Sequence, residues 1–177
     1  LPAGLQSVDF GSSFNLGVKL PSSLVTAIFG TKFDQKLRPG FFPSSLTTLK
    51  FANSSSFNKP IAPKVLPEGL TELAFGKIFD QPLPPGVLPS SLVCLSFGYW
   101  WNQHVEPYSL PPNLEQLTFG GGFLHPLEPG VLPTRLRCLV FLGRKRSFNL
   151  PLPAGVLPPT LAQLKFGAMQ PAVVEAP

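Results

Sequence analysis

One place in the chain repeatedly carries a side chain that could do chemistry: Asn15, Asp34, Asn58, Asp80, Asn102 and Asn149. A row of carboxylates at regular spacing could hold a metal ion or work as acid and base. Here the carboxylates alternate with amides, and an amide is neither an acid, a base nor a charged ligand. The residue types point instead to a structural ladder, in which these side chains satisfy backbone groups at a turn.

The other reactive side chains give no catalytic pattern. His104 and His125 stand at different offsets after Trp101 and Phe123, and no further ligands share a metal-site spacing, so both read as surface histidines. Cys94 and Cys138 lie in no Cys-x-x-Cys pair, and two cysteines are too few for a disulfide framework in 177 residues. They share one outward strand column two coils apart, roughly 10 Å, beyond the ~7 Å that a disulfide can bridge. Gly120-Gly121-Gly122 follows a strand but lacks the Lys-Ser/Thr and the helix of a phosphate loop. Asn53-Ser54-Ser55 is a glycosylation sequon, which is used only after secretion. The expectation is a chain with no catalytic residue, no cofactor and no metal.

Binding is the remaining chemistry. The run Tyr99-Trp100-Trp101 is the most unusual local feature. Trp101 falls in a column otherwise held by Phe and reads as core. Tyr99 and Trp100 fall in a linker, between Lys77-Ile78 of the previous unit and Gly121-Gly122 of the next. Exposed aromatics of this kind anchor interfaces, with Ile78 at their flank; packing on their own scaffold is the alternative. Arg144, Lys145 and Arg146, with Arg135 and Arg137 nearby, form the densest positive region. They suit a solvated loop or a contact with phosphate or an acidic protein. Nucleic-acid readout would need interleaved aromatics and a longer basic track. Outward strand positions such as Thr48, Glu72, Ser96 and Thr118 are small and mixed.

The elements that must position these residues are repeats. Leu-Pro-x-x-Leu-x-x-Leu-x-Phe-Gly, or a close variant, starts at Leu1, Leu20, Phe42, Leu66, Leu88, Leu110, Leu132 and Leu157. Between copies runs Phe-[Asn/Asp]-x-Pro-Leu-x-Pro-Gly-x, as in 79–87 and, with Trp101 for Phe, in 101–109. The usual period is 22 residues; the first unit is three residues short, and the linkers at 53–56 and 142–147 carry two and three extra. Both motifs resemble the FNIP repeat family, related to leucine-rich repeats, over residues 1–167. Trp101 for Phe, Leu124 for Asn/Asp and Phe42 for Leu depart from the pattern. The resemblance implies a leucine-rich-repeat-like solenoid used for protein–protein contact.

The same architecture follows from the residues themselves. Leu73 and Phe75 alternate with Glu72, Ala74 and Gly76 at the period of a strand. Gly76 is read as the residue whose freedom permits the following turn, and Pro85-Gly86 turns the chain back. Prolines every few residues forbid helix on the return. The predicted fold is therefore mainly β: a solenoid with one parallel sheet, eight coils of the 22-residue type, an extended proline-rich return side and little helix. The solenoid covers residues 1–167, and 168–177 forms a tail that caps the last coil or docks elsewhere.

Composition narrows the class further. With 44% hydrophobic and 13% charged residues the chain is too apolar for disorder. Its net charge of +5 fits nucleic acid, acidic partners or plain solubility. No apolar run approaches the roughly 18 residues of a transmembrane helix. Two unpaired cysteines and the lack of a visible signal peptide favour an intracellular protein, although the sequence opens inside a repeat at Leu1-Pro2 and can be a fragment. The leading expectation is a non-catalytic recognition solenoid with a protein partner. Its alternatives are a structural subunit held in a larger multi-protein complex and an accessory domain of an enzyme.

Overall fold

The structure, a computed structural model, describes residues 1–143 and 148–167. Eight strands form one sheet in chain order: β1 Ser7–Asp9, β2 Thr26–Phe29, β3 Thr48–Phe51, β4 Glu72–Ala74, β5 Cys94–Ser96, β6 Gln116–Phe119, β7 Cys138–Leu142 and β8 Gln163–Gly167. Every neighbouring pair is parallel, and the register places each motif copy on the next, as in Leu73 beside Leu95 and Leu95 beside Leu117. Each strand and its return make one coil, numbered 1–8 with the strands. No helix among the described residues is long and apolar enough to cross a membrane.

Alternation explains the strands. In β3, Leu49 and Phe51 are buried while Thr48 and Lys50 are half-exposed. The inward strand Phe meets the Phe or Trp that opens the return of its own coil: Phe75 stacks on Phe79 at 3.9 Å, Phe97 on Trp101 at 3.7 Å and Phe119 on Phe123 at 4.1 Å. Successive coils continue both columns at nearly constant spacing, with Phe75–Phe97 at 5.9 Å and Trp101–Phe123 at 5.7 Å. The core is thus a double stack of rings, closed by Leu and Val from the rest of each coil.

Two kinds of glycine shape the coil. At the return corner Pro-Gly makes a turn whose third residue has φ near +80°, closed by a bond such as Val87 N–H to the Pro84 carbonyl at 3.3 Å. Pro at the second position and positive φ at the third define a type II turn. Lys64 and Tyr108 hold that third position in coils 3 and 5 and take the same left-handed conformation, φ 66° and 65°.

The strand-end glycine works differently from the sequence expectation. Gly30, Gly76, Gly98 and Gly120 do not have positive φ. A Cβ on Gly98 would lie 1.9 Å from the Gly76 carbonyl oxygen, and one on Gly120 1.9 Å from that of Gly98. Glycine is needed at Gly76 for close backbone approach between coils, not for the freedom of its own turn. Ala52 and Leu142, which replace it, open the two lengthened linkers. Extra chain there relaxes the tight approach that excludes a side chain elsewhere.

Candidate interaction surface

The Asn/Asp column bonds from coil to coil. Asp34 N–H donates to Asn15 Oδ1, Asp80 N–H to Asn58 Oδ1, Asn102 N–H to Asp80 Oδ1 and Leu124 N–H to Asn102 Oδ1, each at 2.9 Å. Asp34 instead pairs with Lys59, Oδ2 to Nζ at 2.8 Å. The column is not inward: its members run from half-buried at Asp80 and Asn102 to exposed at Asn15 and Asn149. The break in the column at Leu124, expected to leave its own turn the least well satisfied, falls on the next coil instead: Asn102 accepts the Leu124 N–H, and Leu124 has no acceptor to offer Asn149.

A second column reinforces the first and was missed in the sequence. Gln35 Nε2 donates to Asn15 Oδ1 at 2.9 Å, Gln81 to Asn58 Oδ1 at 3.1 Å and Gln103 to Asp80 Oδ1 at 2.8 Å. His125 takes the same place, with a ring nitrogen 3.0 Å from the Asn102 carbonyl. The signal was the recurrence of a long polar residue directly after the Asn/Asp position. Thus the carboxylates are engaged with N–H groups or with Lys59. Among the described residues no three His, Cys, Asp or Glu side chains group as metal ligands. The His104 and His125 rings do approach, edge to face at 6.1 Å.

The aromatic linker separates into a packed residue and an exposed one. Tyr99 is half-buried and lies over Gly121, where a Cβ would come 2.9 Å from the Tyr99 ring. Lys77 Nζ sits 6.0 Å from its centroid. Trp100 meets Tyr99 edge to face at 4.9 Å yet remains 54% exposed, and Ile78 beside it is 40% exposed. Two backbone bonds hold this edge: Trp100 N–H to the Lys77 carbonyl at 2.9 Å, and Gly122 N–H to that of Tyr99 at 2.7 Å. Trp101 is 2% exposed, with Nε1 donating to the Gln81 carbonyl at 3.1 Å. An aromatic at the other side of the coil was not singled out: Tyr108, 89% exposed at a corner that is Gly in coils 4 and 6. Its signal was an aromatic standing in a glycine column.

The remaining candidates are dispersed. Arg144, Lys145 and Arg146 lie outside the described residues, as does the tail 168–177. Arg135 donates to Asn113 Oδ1 at 3.0 Å. On the outward sheet face Lys50 pairs with Glu72 at 2.8 Å. Cys94 and Cys138 are free thiols that each pair with Gln116 in the register, one coil apart on either side. Burial, then the Glu72 and Glu115 carboxylates, push the Cys94 thiol pKa up, which makes it a poor nucleophile at neutral pH. In the sequon Asn53 is exposed, but Ser55 is buried, its Oγ accepting from Phe57 N–H at 3.3 Å.

This geometry is one of display: a rigid repeated scaffold with side chains of different character at its edges. No curated protein matches the sequence. The solved structure of CroV588, described as a novel circular LRR protein, superposes with a TM-score of 0.88 at 39% identity, covering 94% of this chain. The chain spans 24% of that protein's length. The sequence model described as "FNIP Repeat" matches residues 16–54, 57–100, 101–144 and 123–168, and with both halves of its motif placed in register through the sheet, this chain belongs to the FNIP repeat family.

Proposed function

We propose that this solenoid is a non-catalytic recognition module that binds a protein partner through the strand-end edge formed by Ile78, Tyr99 and Trp100. The carrying observation is Trp100: a large aromatic, 54% exposed, held on a backbone fixed to both neighbouring coils. A fixed aromatic loses little conformational freedom on binding, which is what an interface anchor requires. Membership of a repeat family fits a scaffold role of this kind.

The test separates binding from folding. Partners recovered on the immobilised wild-type chain are compared with those on Trp100→Ala, and both are followed by thermal melting. The proposal expects the variant to melt like wild type and to bind its recovered partner about thirtyfold more weakly, the loss of a hot spot. A folded Trp100→Ala variant that binds equally well would exclude this edge.

A second reading is a structural subunit of a larger assembly. An assembly subunit would need its neighbours to remain soluble, whereas a recognition module would be a soluble monomer on sedimentation.

A further inference from the structure

The first coil has the shortest period: Leu1 to Leu20 spans 19 residues, against 22 from Leu20 to Phe42. What it lacks is the Pro-Gly corner. Its return goes from Val18 directly to Lys19 and Leu20, while the next coil turns through Arg38, Pro39, Gly40 and Phe41. A missing corner leaves a step, and at this step lies an open trough of about 860 Å³ lined by both coils.

The lining has a consistent chemistry. Val18, Leu20, Pro39 and Phe41 supply apolar surface. Phe41 stands where coils 3, 4, 6 and 7 place Val65, Val87, Val131 and Val156, and it is half-buried, edge-on to Phe42 at 5.0 Å. It also packs toward Phe29 and Phe33, at 6.3 and 6.4 Å, and the rest of its ring lines the trough. Lys19 and Arg38 come from the two coils; both are exposed, no carboxylate lines the trough, and neither cation has an ion-pair partner among the described residues.

We propose that this trough binds an extended segment of a partner protein in which an apolar side chain sits beside acidic side chains. The apolar group covers Phe41 and Val18, and the carboxylates face Lys19 and Arg38. An open trough lets a chain pass through it, so internal acidic residues suit it better than a terminal carboxylate. It also leaves an acyl chain in water, which disfavours a lipid. The inference shares the protein-binding reading above but uses a different surface, so each can fail without the other.

The experiment is fluorescence anisotropy on the whole chain with a fluorescein-labelled, C-terminally amidated peptide containing Leu-Glu-Phe-Glu. The control peptide carries Lys in place of both Glu. The acidic peptide is expected to bind saturably and the basic one not to bind. Arg38→Glu and Lys19→Glu should each weaken binding at least about tenfold at low salt, because attraction becomes repulsion. Inserting Arg-Pro-Gly between Val18 and Lys19 restores the missing corner, and the folded variant should lose binding altogether. Trp100→Ala should leave the affinity unchanged. Equal binding of the two peptides, indifference to both charge reversals, or no saturation below about 1 mM would overturn the proposal. So would capture of the chain by phosphatidylserine vesicles when the acidic peptide fails to bind. If the insertion variant does not fold, the two charge reversals decide the matter.

Discussion

Gly98 leaves no room for a methyl group. Its added Cβ would lie 1.9 Å from the Gly76 carbonyl oxygen, so Gly98→Ala must push two coils apart. A loss of about 3 kcal/mol or more is expected, read as a lower urea midpoint. The corner residues give the opposite sign. Tyr108 occupies a left-handed turn position at φ 65°, where a non-glycine residue is strained by roughly 1–2 kcal/mol. Tyr108→Gly relieves that strain but adds freedom to the unfolded chain, so a net gain of about 0.5–1 kcal/mol is expected from the same titration. Both glycine columns were visible in the sequence. That one answers to backbone conformation and the other to the distance between coils was not, because a repeat shows that a residue recurs but not what stands opposite it.

The connections between coils are where side chains add to the sheet. Asn102 accepts the Leu124 N–H at 2.9 Å, so Asn102→Ala removes a bond between coils and leaves that donor to water, since Leu124 is exposed. The expected cost is about 0.5–1.5 kcal/mol, against almost none for Glu106→Ala, whose side chain is exposed on the return corner. Equal denaturant midpoints for the two variants would remove Asn102 from any structural ladder. The alternation of Asn and Asp already pointed away from catalysis at the level of residue type. The direction of the bonds, from one coil to the next rather than within a turn, needed the stacked register. So did the Gln35, Gln81 and Gln103 column, since polar residues on a return segment look like ordinary solvated positions until a neighbouring coil supplies their partner.

Among the described residues each inner coil rests on two neighbours, while the coils of β1 and β8 pair with one each. Phe29, Phe33, Phe79, Phe119 and Phe123 are fully buried, whereas Phe10 and Phe14 are half-buried and Phe166 is 57% exposed. In such a quasi-linear array stability falls toward the ends. Hydrogen exchange followed by mass spectrometry should therefore show β4 to β6 most protected, with β1 and β8 exchanging first. Uniform protection from β1 to β8 would mean that the solenoid unfolds as one unit. The trough at the first step belongs to this scale too, since residues of a short coil and of a full-length one line it together.

The sequence by itself determined the repeat, its period, the strand in each copy and the inward residues. The strand and its inward residues follow from local alternation and from prolines that exclude helix, while the repeat and its period follow from comparing the copies. Tertiary structure decided the rest. Tyr99 and Trp100 are adjacent and chemically alike, and each has a glycine beside it in the next coil, yet the Tyr99 ring lies over Gly121 while Trp100 is 54% exposed, a difference of side-chain direction that the sequence does not show. The three residues absent from coil 1 were legible as a shorter period. Their consequence, an apolar trough with Lys19 and Arg38 on its walls, appears only where two coils of unequal length are laid side by side.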